Sequence, residues 1–289
     1  MDSKKYYIGC PVWSCDRWRG KVFPVGTKRK DRLNLYSKQF STVEGNTTFY
    51  ALPTVATVQK WVGETAEGFR FALKFPRVIS HDCRLVDCDP EIDHFLDCLQ
   101  ILKDAKKLGP AFLQLPPDFG FAEFHSLKRF VSQLPADFPF AVETRHPDYF
   151  EEPNQVELSE LLAGAGIDRV IFDSRPLFAH PPADLTESEA RIRKPRLPIC
   201  RQVTGPHPFL RFVGINCVDK LTGWIDQWAP IVADWINQEK QPFVFLHTPD
   251  EEFAPDFARR FHTVLQRKVA GLGDLPQAPD FQEDQLRLF

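Results

Sequence analysis

Acidic, basic and amide side chains recur at one kind of place in this 289-residue chain, at or just past the end of a short apolar run. Glu44 and Asn46 close one such run. Lys74 closes the next, with Arg77 and His81 following, and Gln114 lies in the fourth. Glu143 precedes Arg145 and His146. Asp173 and Ser174 end the sixth, Arg211 lies in the seventh and His247 ends the eighth. Carboxylates serve as acids, bases or ligands of a divalent metal. Fixed Lys and Arg side chains hold phosphate or carboxylate. A histidine titrates close enough to neutrality to act as base or ligand. The candidate catalytic residues are therefore Glu44, Lys74, Glu143, His146, Asp173 and His247. Asn46, Arg77, His81, Gln114, Arg145 and Arg211 are candidates for substrate binding. The competing account is structural: Glu143 with Arg145 or Lys74 forms buried ion pairs, and His146 before Pro147 only shapes a turn.

A second group lies near the N-terminus, where GCPVWSCDRWRGKVFP sets Trp13, Trp18 and Arg19 close together. Aromatic rings interleaved with cations can stack on bases or sugars. Alternatively both indoles pack the loop against the protein, since Trp is rarely left uncovered.

The elements that must position these groups alternate. Near-continuous apolar runs at 6–10, 41–46, 69–75, 111–115, 138–144, 169–173, 209–213 and 243–247 read as strands covered on both faces. Stretches of helical period fall between and after them, at 30–39, 55–64, 90–107, 121–133, 155–163, 186–193, 221–238 and 254–268. Eight strand–helix units in order predict a single-domain α/β fold, a TIM-type (β/α)8 barrel, whose site lies at the C-terminal ends of the strands. The alternative, an open doubly wound sheet, lacks its Gly-rich phosphate loop. With 26 Phe against a single Met, the core is filled by stiff rings. The Pro-rich stretch 175–207 is long enough to fold over a site. The barrel is expected over 1–270, a polar linker over 271–284 and a separate peptide over 285–289, giving a flexible C-terminal tail.

A net charge of −3 provides no overall basic field and argues against a histone-like role. The N-terminus has no apolar stretch after its charges, and no run approaches membrane-spanning length, so a cytoplasmic protein with no membrane partner is expected. The seven Cys are odd in number and form no CxxC pair. They read as reduced thiols, with a zinc site on Cys83, Cys88 and a nearby His as the alternative. His94, His125 and His262 fall in helical stretches and read as surface residues.

Several of these segments carry a resemblance. Trp18-Arg19-Gly20 with Phe23-Pro24, Val43-Glu44-Gly45-Asn46-Thr47-Thr48-Phe49-Tyr50, Phe71-Ala72-Leu73-Lys74-Phe75-Pro76-Arg77 with His81, Gln114-Leu115-Pro116-Pro117, Glu143-Thr144-Arg145-His146-Pro147 and Asp173-Ser174 together resemble the YecE-like family, a domain of unknown function. The resemblance runs from about Ile8 to Leu265. It implies a TIM-barrel-like fold with a polar pocket at its mouth, and no established activity. The chain departs from the commoner family pattern after Arg211, where a frequent His is missing, and at His247-Thr248-Pro249-Asp250, where paired Asn is usual.

The last five residues, Gln285-Leu286-Arg287-Leu288-Phe289, resemble the bacterial sliding-clamp-binding pentapeptide. That resemblance implies docking on the DNA polymerase sliding clamp through Gln285, Leu286, Leu288 and Phe289, and through it a place at DNA. Three functions follow: a clamp-delivered hydrolase or nuclease acting on a phosphate-bearing or nucleic-acid substrate, a non-catalytic clamp accessory that binds a ligand, or a small-molecule isomerase or lyase whose tail is incidental.

Overall fold

The computed structural model describes residues 6–276. The pentapeptide at 285–289 and most of the expected linker lie outside the described residues. The chain is α/β. In order, its elements are β1 (Tyr7–Gly9), α1 (Arg32–Ser37), β2 (Thr42–Gly45), α2 (Thr47–Tyr50), α3 (Val55–Glu64), β3 (Arg70–Leu73), α4 (Asp89–Asp104), β4 (Ala111–Gln114), α5 (Phe124–Gln133), β5 (Phe140–Glu143), α6 (Asn154–Gly164), β6 (Asp168–Asp173), α7 (Arg175–Ala179), α8 (Leu185–Arg193), β7 (Phe209–Val213), α9 (Thr222–Asn237), β8 (Phe243–His247) and α10 (Ala254–Gln266). All eight expected strands are present; only the short α2 and α7 and several single turns were not anticipated.

All the strand pairings are parallel. Six strands form one half-barrel sheet in the order β1-β8-β7-β6-β5-β4, and β2 and β3 pair separately. The sequence predicts a (β/α)8 barrel; the regular ladder is interrupted at two joints, β1–β2 and β3–β4. At the first joint the Ser41 amide donates to the Ile8 carbonyl at 3.2 Å and the Glu44 amide to the Cys10 carbonyl at 3.1 Å, and Tyr36 adds a bridge: its hydroxyl accepts from the Cys10 amide at 2.7 Å and donates to the Thr42 carbonyl at 3.0 Å. Gly9 permits that approach, because a Cβ there would lie 1.9 Å from the Thr42 carbonyl oxygen. At the second joint the Phe75 amide donates to the Phe112 carbonyl at 3.0 Å.

The interior separates into two layers. Tyr7, Ala72, Phe112, Ala141, Val170, Phe209, Phe243 and Phe245 form one cluster, with residues from seven of the strands facing inward. The larger core lies between the outer strand faces and the helices. The helices bury one stripe each: α5 buries Leu127, Phe130 and Val131 at three- and four-residue spacing. Thr54 caps α3 by accepting from the Thr57 amide, and Pro90 opens α4 in its first turn. One surface reading is corrected. His262 on α10 is buried, held by the Tyr6 hydroxyl on one side and the Gly273 carbonyl on the other. The stretch read as linker therefore begins docked, with Leu272 and Leu275 packed on the core and Arg259 donating to the Pro276 carbonyl at 2.7 Å. None of the described helices is long and apolar enough to cross a membrane.

Candidate functional site

Side chains alternate faces along a strand, so a residue two positions beyond an inward one is also inward. Counting two from Ala72, Phe112, Ala141, Phe209 and Phe245 gives Lys74, Gln114, Glu143, Arg211 and His247. The five lie above the apolar ring at the C-terminal ends of the strands, each at most 8% exposed. Arg211 is the hub. Its Nε and Nη2 donate to the two oxygens of Glu44 at 2.8 and 2.7 Å, and its Nη1 donates to Glu143. The same nitrogen lies 3.4 Å from the Gln114 side-chain oxygen. Asn46 donates to Glu44 at 2.8 Å, His247 Nε2 lies 3.0 Å from it, and Arg145 Nε donates to Glu143 at 2.7 Å.

Electrostatics follow from this network. Burial pushes the Glu44 carboxyl up, but Arg211 and His247 more than offset it and hold it well below the usual carboxylate range. In Glu143 the same burial is outweighed by Arg211 and Arg145, leaving the group at about 2. Burial lowers His247 to about 4, despite Glu44, so the ring is neutral at pH 7. A carboxylate only accepts hydrogen bonds, so the proton of the neutral ring resides on Nε2. The donor set thus bears on a metal: the oxygens of Glu44 and Glu143 are engaged by guanidinium groups. Among the described residues, no group of three His, Cys, Asp or Glu side chains is placed to hold one ion.

Above the network a cavity of about 500 Å³ opens. Its walls include Phe49 and Tyr50 from α2, Lys74, Arg145, Arg193 and Lys194 at the end of α8, and Glu251 after β8. Lys74 Nζ sits 3.7 Å from the centre of the Phe49 ring. Burial, with Arg211 adding to it against Glu143, lowers Lys74 to about 7. Burial and Arg211 bring Lys194 to about 8. Burial raises Glu251 to about 7 against the pull of Lys194, and its Oε2 is buried without a hydrogen-bond partner among the described residues.

A family model described as "Protein of unknown function DUF72" matches residues 7–283. The chain belongs to the DUF72 family. It is 35% identical over 274 residues to UPF0759 protein YecE of Escherichia coli (strain K12), covering 94% of this chain and 97% of that one. UPF0759 protein YunF of Bacillus subtilis (strain 168) is 28% identical over 152 residues, covering 51% of this chain. Among solved structures, a DUF72 family protein of Thermotoga maritima MSB8 superposes with a TM-score of 0.69 at 21% identity, over 90% of this chain and 99% of that one. One from Enterococcus faecalis V583 gives 0.65 at 22%, over 81% and 92%. These neighbours support the fold.

In this DUF72 chain the cavity brings together Glu44, Asn46, Lys74, Gln114, Arg145, Arg211 and His247, all singled out from sequence. Glu143 lies directly beneath, bonded to Arg211 and Arg145. Other candidates are elsewhere. Asp173, one position past the inward Phe172, points to the helix layer, where Arg175 holds it and Trp228 Nε1 donates to it at 2.7 Å. Its expected place in the cavity is corrected. Trp18 is fully buried and donates to the Glu251 carbonyl at 2.8 Å; it braces the loop rather than facing a ligand. Trp13 packs edge-on against Trp61. Arg19 pairs with Asp16, Arg77 with Asp82, and both are exposed. His146 shapes its turn, its Nδ1 accepting from the Asp148 amide. His81 touches the back of Phe49, outside the cavity wall. Sequence reasoning missed Lys194, Arg193 and Glu251. The stretch expected to fold over a site does supply the first two, and Glu251 occupies the loop after β8, where barrel sites draw residues.

Proposed function

We propose that the cavity is an active site for a small substrate bearing a phosphate or another oxyanion. The observation that carries this reading is the surplus of cations around it. Arg211 is matched by Glu44 and Glu143, and Arg145 commits only Nε to a carboxylate. Lys74 and Lys194 have no ion pair among the described residues, and Glu251 is the remaining wall carboxylate. Guanidinium and ammonium groups held this way favour oxyanions. A volume of about 500 Å³ falls among small-molecule sites. Around the mouth, Arg17 is paired with Asp250 and Lys21 with Glu252, so these cations are not presented to a phosphate backbone. That favours the small-molecule class over a nuclease. In this reading the joints at β1–β2 and β3–β4 are closed by a few backbone hydrogen bonds each, and the eight strands act as one (β/α)8 barrel. Thermal unfolding in the presence of inorganic phosphate, pyrophosphate and sugar phosphates tests it. Stabilisation that is lost in Arg145→Gln and Lys194→Gln is expected; no stabilisation by any of these anions would overturn it.

A second proposal rests on the tail alone. Gln285–Phe289 docks on the bacterial sliding clamp, with Leu288 and Phe289 as apolar anchors and Arg287 tolerant of replacement. Fluorescence anisotropy against purified clamp should show binding by the wild-type protein and none by the Leu288→Ala, Phe289→Ala variant. Equal affinity of the two ends this proposal.

A further inference from the structure

Building on the oxyanion reading, we infer that Lys74 is a covalent catalyst, its amine condensing with an aldehyde or ketone carbon of the substrate to form an imine. Three geometric facts converge on this residue. Its Nζ reaches the cavity from the inward face of the strand end, two positions beyond Ala72 in the apolar ring. No hydrogen bond or carboxylate partner holds the amine among the described residues, although Glu44 and Glu143 lie close by in the same network. These carboxylates are occupied by Arg211 and Arg145, which denies Lys74 the ion pair that would keep a buried ammonium charged. The ring of Phe49 covers the amine on one side at 3.7 Å and excludes water there.

A lysine that is desolvated and placed beside other cations is the kind that enzymes use as a nucleophile. At about 7 its amine is half unprotonated at neutral pH. That is roughly a thousandfold more free base than an ordinary lysine offers. The chemistry balances within the cavity. The amine lone pair forms a C–N bond as the carbonyl π pair moves to oxygen, and proton transfer gives a carbinolamine. The C–O bond then breaks, the oxygen leaves as water, and the nitrogen lone pair forms the C=N bond. The departing hydroxyl needs a proton, and Glu251, which lines the same cavity and is raised to about 7 by burial, can give one and regain it from the nitrogen. The cations Arg145 and Lys194 would hold the oxyanion end of the same molecule. The substrate class is thus a small carbonyl compound with a phosphate or carboxylate group.

The test is reductive trapping on the full-length protein. Pyridoxal 5′-phosphate serves as an aldehyde with a phosphate, pyridoxal as the same aldehyde without it, and borohydride fixes any imine for peptide mass mapping. Lys74 should be the first residue labelled at pH 7, ahead of exposed lysines such as Lys60. Its labelling rate should rise to a plateau just above pH 7, while that of exposed lysines should climb to much higher pH. Inorganic phosphate should slow labelling by pyridoxal 5′-phosphate. Lys74→Met, checked for native circular dichroism, should lose the early adduct. Labelling spread over exposed lysines with Lys74 unmodified would overturn the inference, and because this is read on the wild-type protein it does not depend on a variant folding. The two readings fail separately. Stabilisation by phosphate without an adduct on Lys74 refutes the imine and keeps the anion site. An adduct formed equally fast by pyridoxal, with no stabilisation by phosphate, does the reverse.

Discussion

Glu44 and Arg211 are 167 residues apart in sequence, yet they face each other through two nearly parallel hydrogen bonds of 2.8 and 2.7 Å. The pair ties β2, from the two-stranded sheet, to β7 in the six-stranded sheet. It joins the walls of the molecule at the depth where the cavity begins.

Breaking that tie should be costly. Arg211→Met leaves Glu44 and Glu143 buried without their main countercharge, a situation that typically costs about 3–5 kcal/mol. Arg211→Lys should recover only part, since an ammonium cannot match both oxygens of one carboxylate. Urea unfolding midpoints of the two variants, compared with wild type, measure the loss.

Acid should expose the same network. Glu143 is at about 2 in the folded protein, and Glu44 is also depressed, whereas unfolded glutamates titrate near 4.5. Folded values below unfolded ones mean that this stability is fully present above about 4.5 and is lost as pH falls toward 2. Stability measured from pH 6 to 2.5 should fall more steeply in wild type than in Glu143→Gln, which has one fewer carboxylate to protonate.

Lys74 should show the opposite trend, because its fold-lowered value makes protonation a burden. It sits at about 7 when folded and at 10.5 when free, so the penalty is complete below 7 and fades as pH rises to 10.5. Lys74→Met should therefore stabilise the fold at pH 6 by on the order of a few kcal/mol. The gain should shrink to nothing by pH 10.5. Guanidinium unfolding at the two pH values checks both sign and window.

Anion binding should share that dependence. Lys74 and Lys194 lose their charges through about 7 and about 8. Stabilisation by sulfate, an oxyanion whose own charge is fixed over this range, about 2.7 kcal/mol at a hundredfold excess over its dissociation constant, should weaken between pH 6 and pH 9. Thermal shift titration at fixed ionic strength measures it.

Asp173 separates architecture from site. Asp173→Ala leaves Arg175 and the buried Trp228 Nε1 without their acceptor, and should destabilise the fold by about 2–4 kcal/mol. Phosphate affinity at a temperature where the variant is folded should not change, because the side chain faces the helices.

The sequence by itself determined the eight strands, most of the helices and the general place of the site. Those features are local. Apolar runs as short as Phe209–Val213 and Phe243–His247, rich in Phe and Val, read as buried strands, and the polar residues that end them then sit where strands meet loops. Its motifs also carried the family resemblance. What the local pattern left undecided was which face each strand-end residue takes, as Asp173 shows: a one-residue offset turns a side chain from the cavity to the helix layer. That parity can be counted from the inward ring, but the ring itself is defined only when the strands are assembled. The partition of charge was equally a tertiary matter. Arg211 could claim Glu44 or Glu143 in any one-dimensional account, and only their convergence from β2, β5 and β7 lets it hold both and leaves Lys74 without a partner. Lys194 and Glu251 entered for the same reason, since segments distant in sequence become neighbours only when the chain closes over the strand ends.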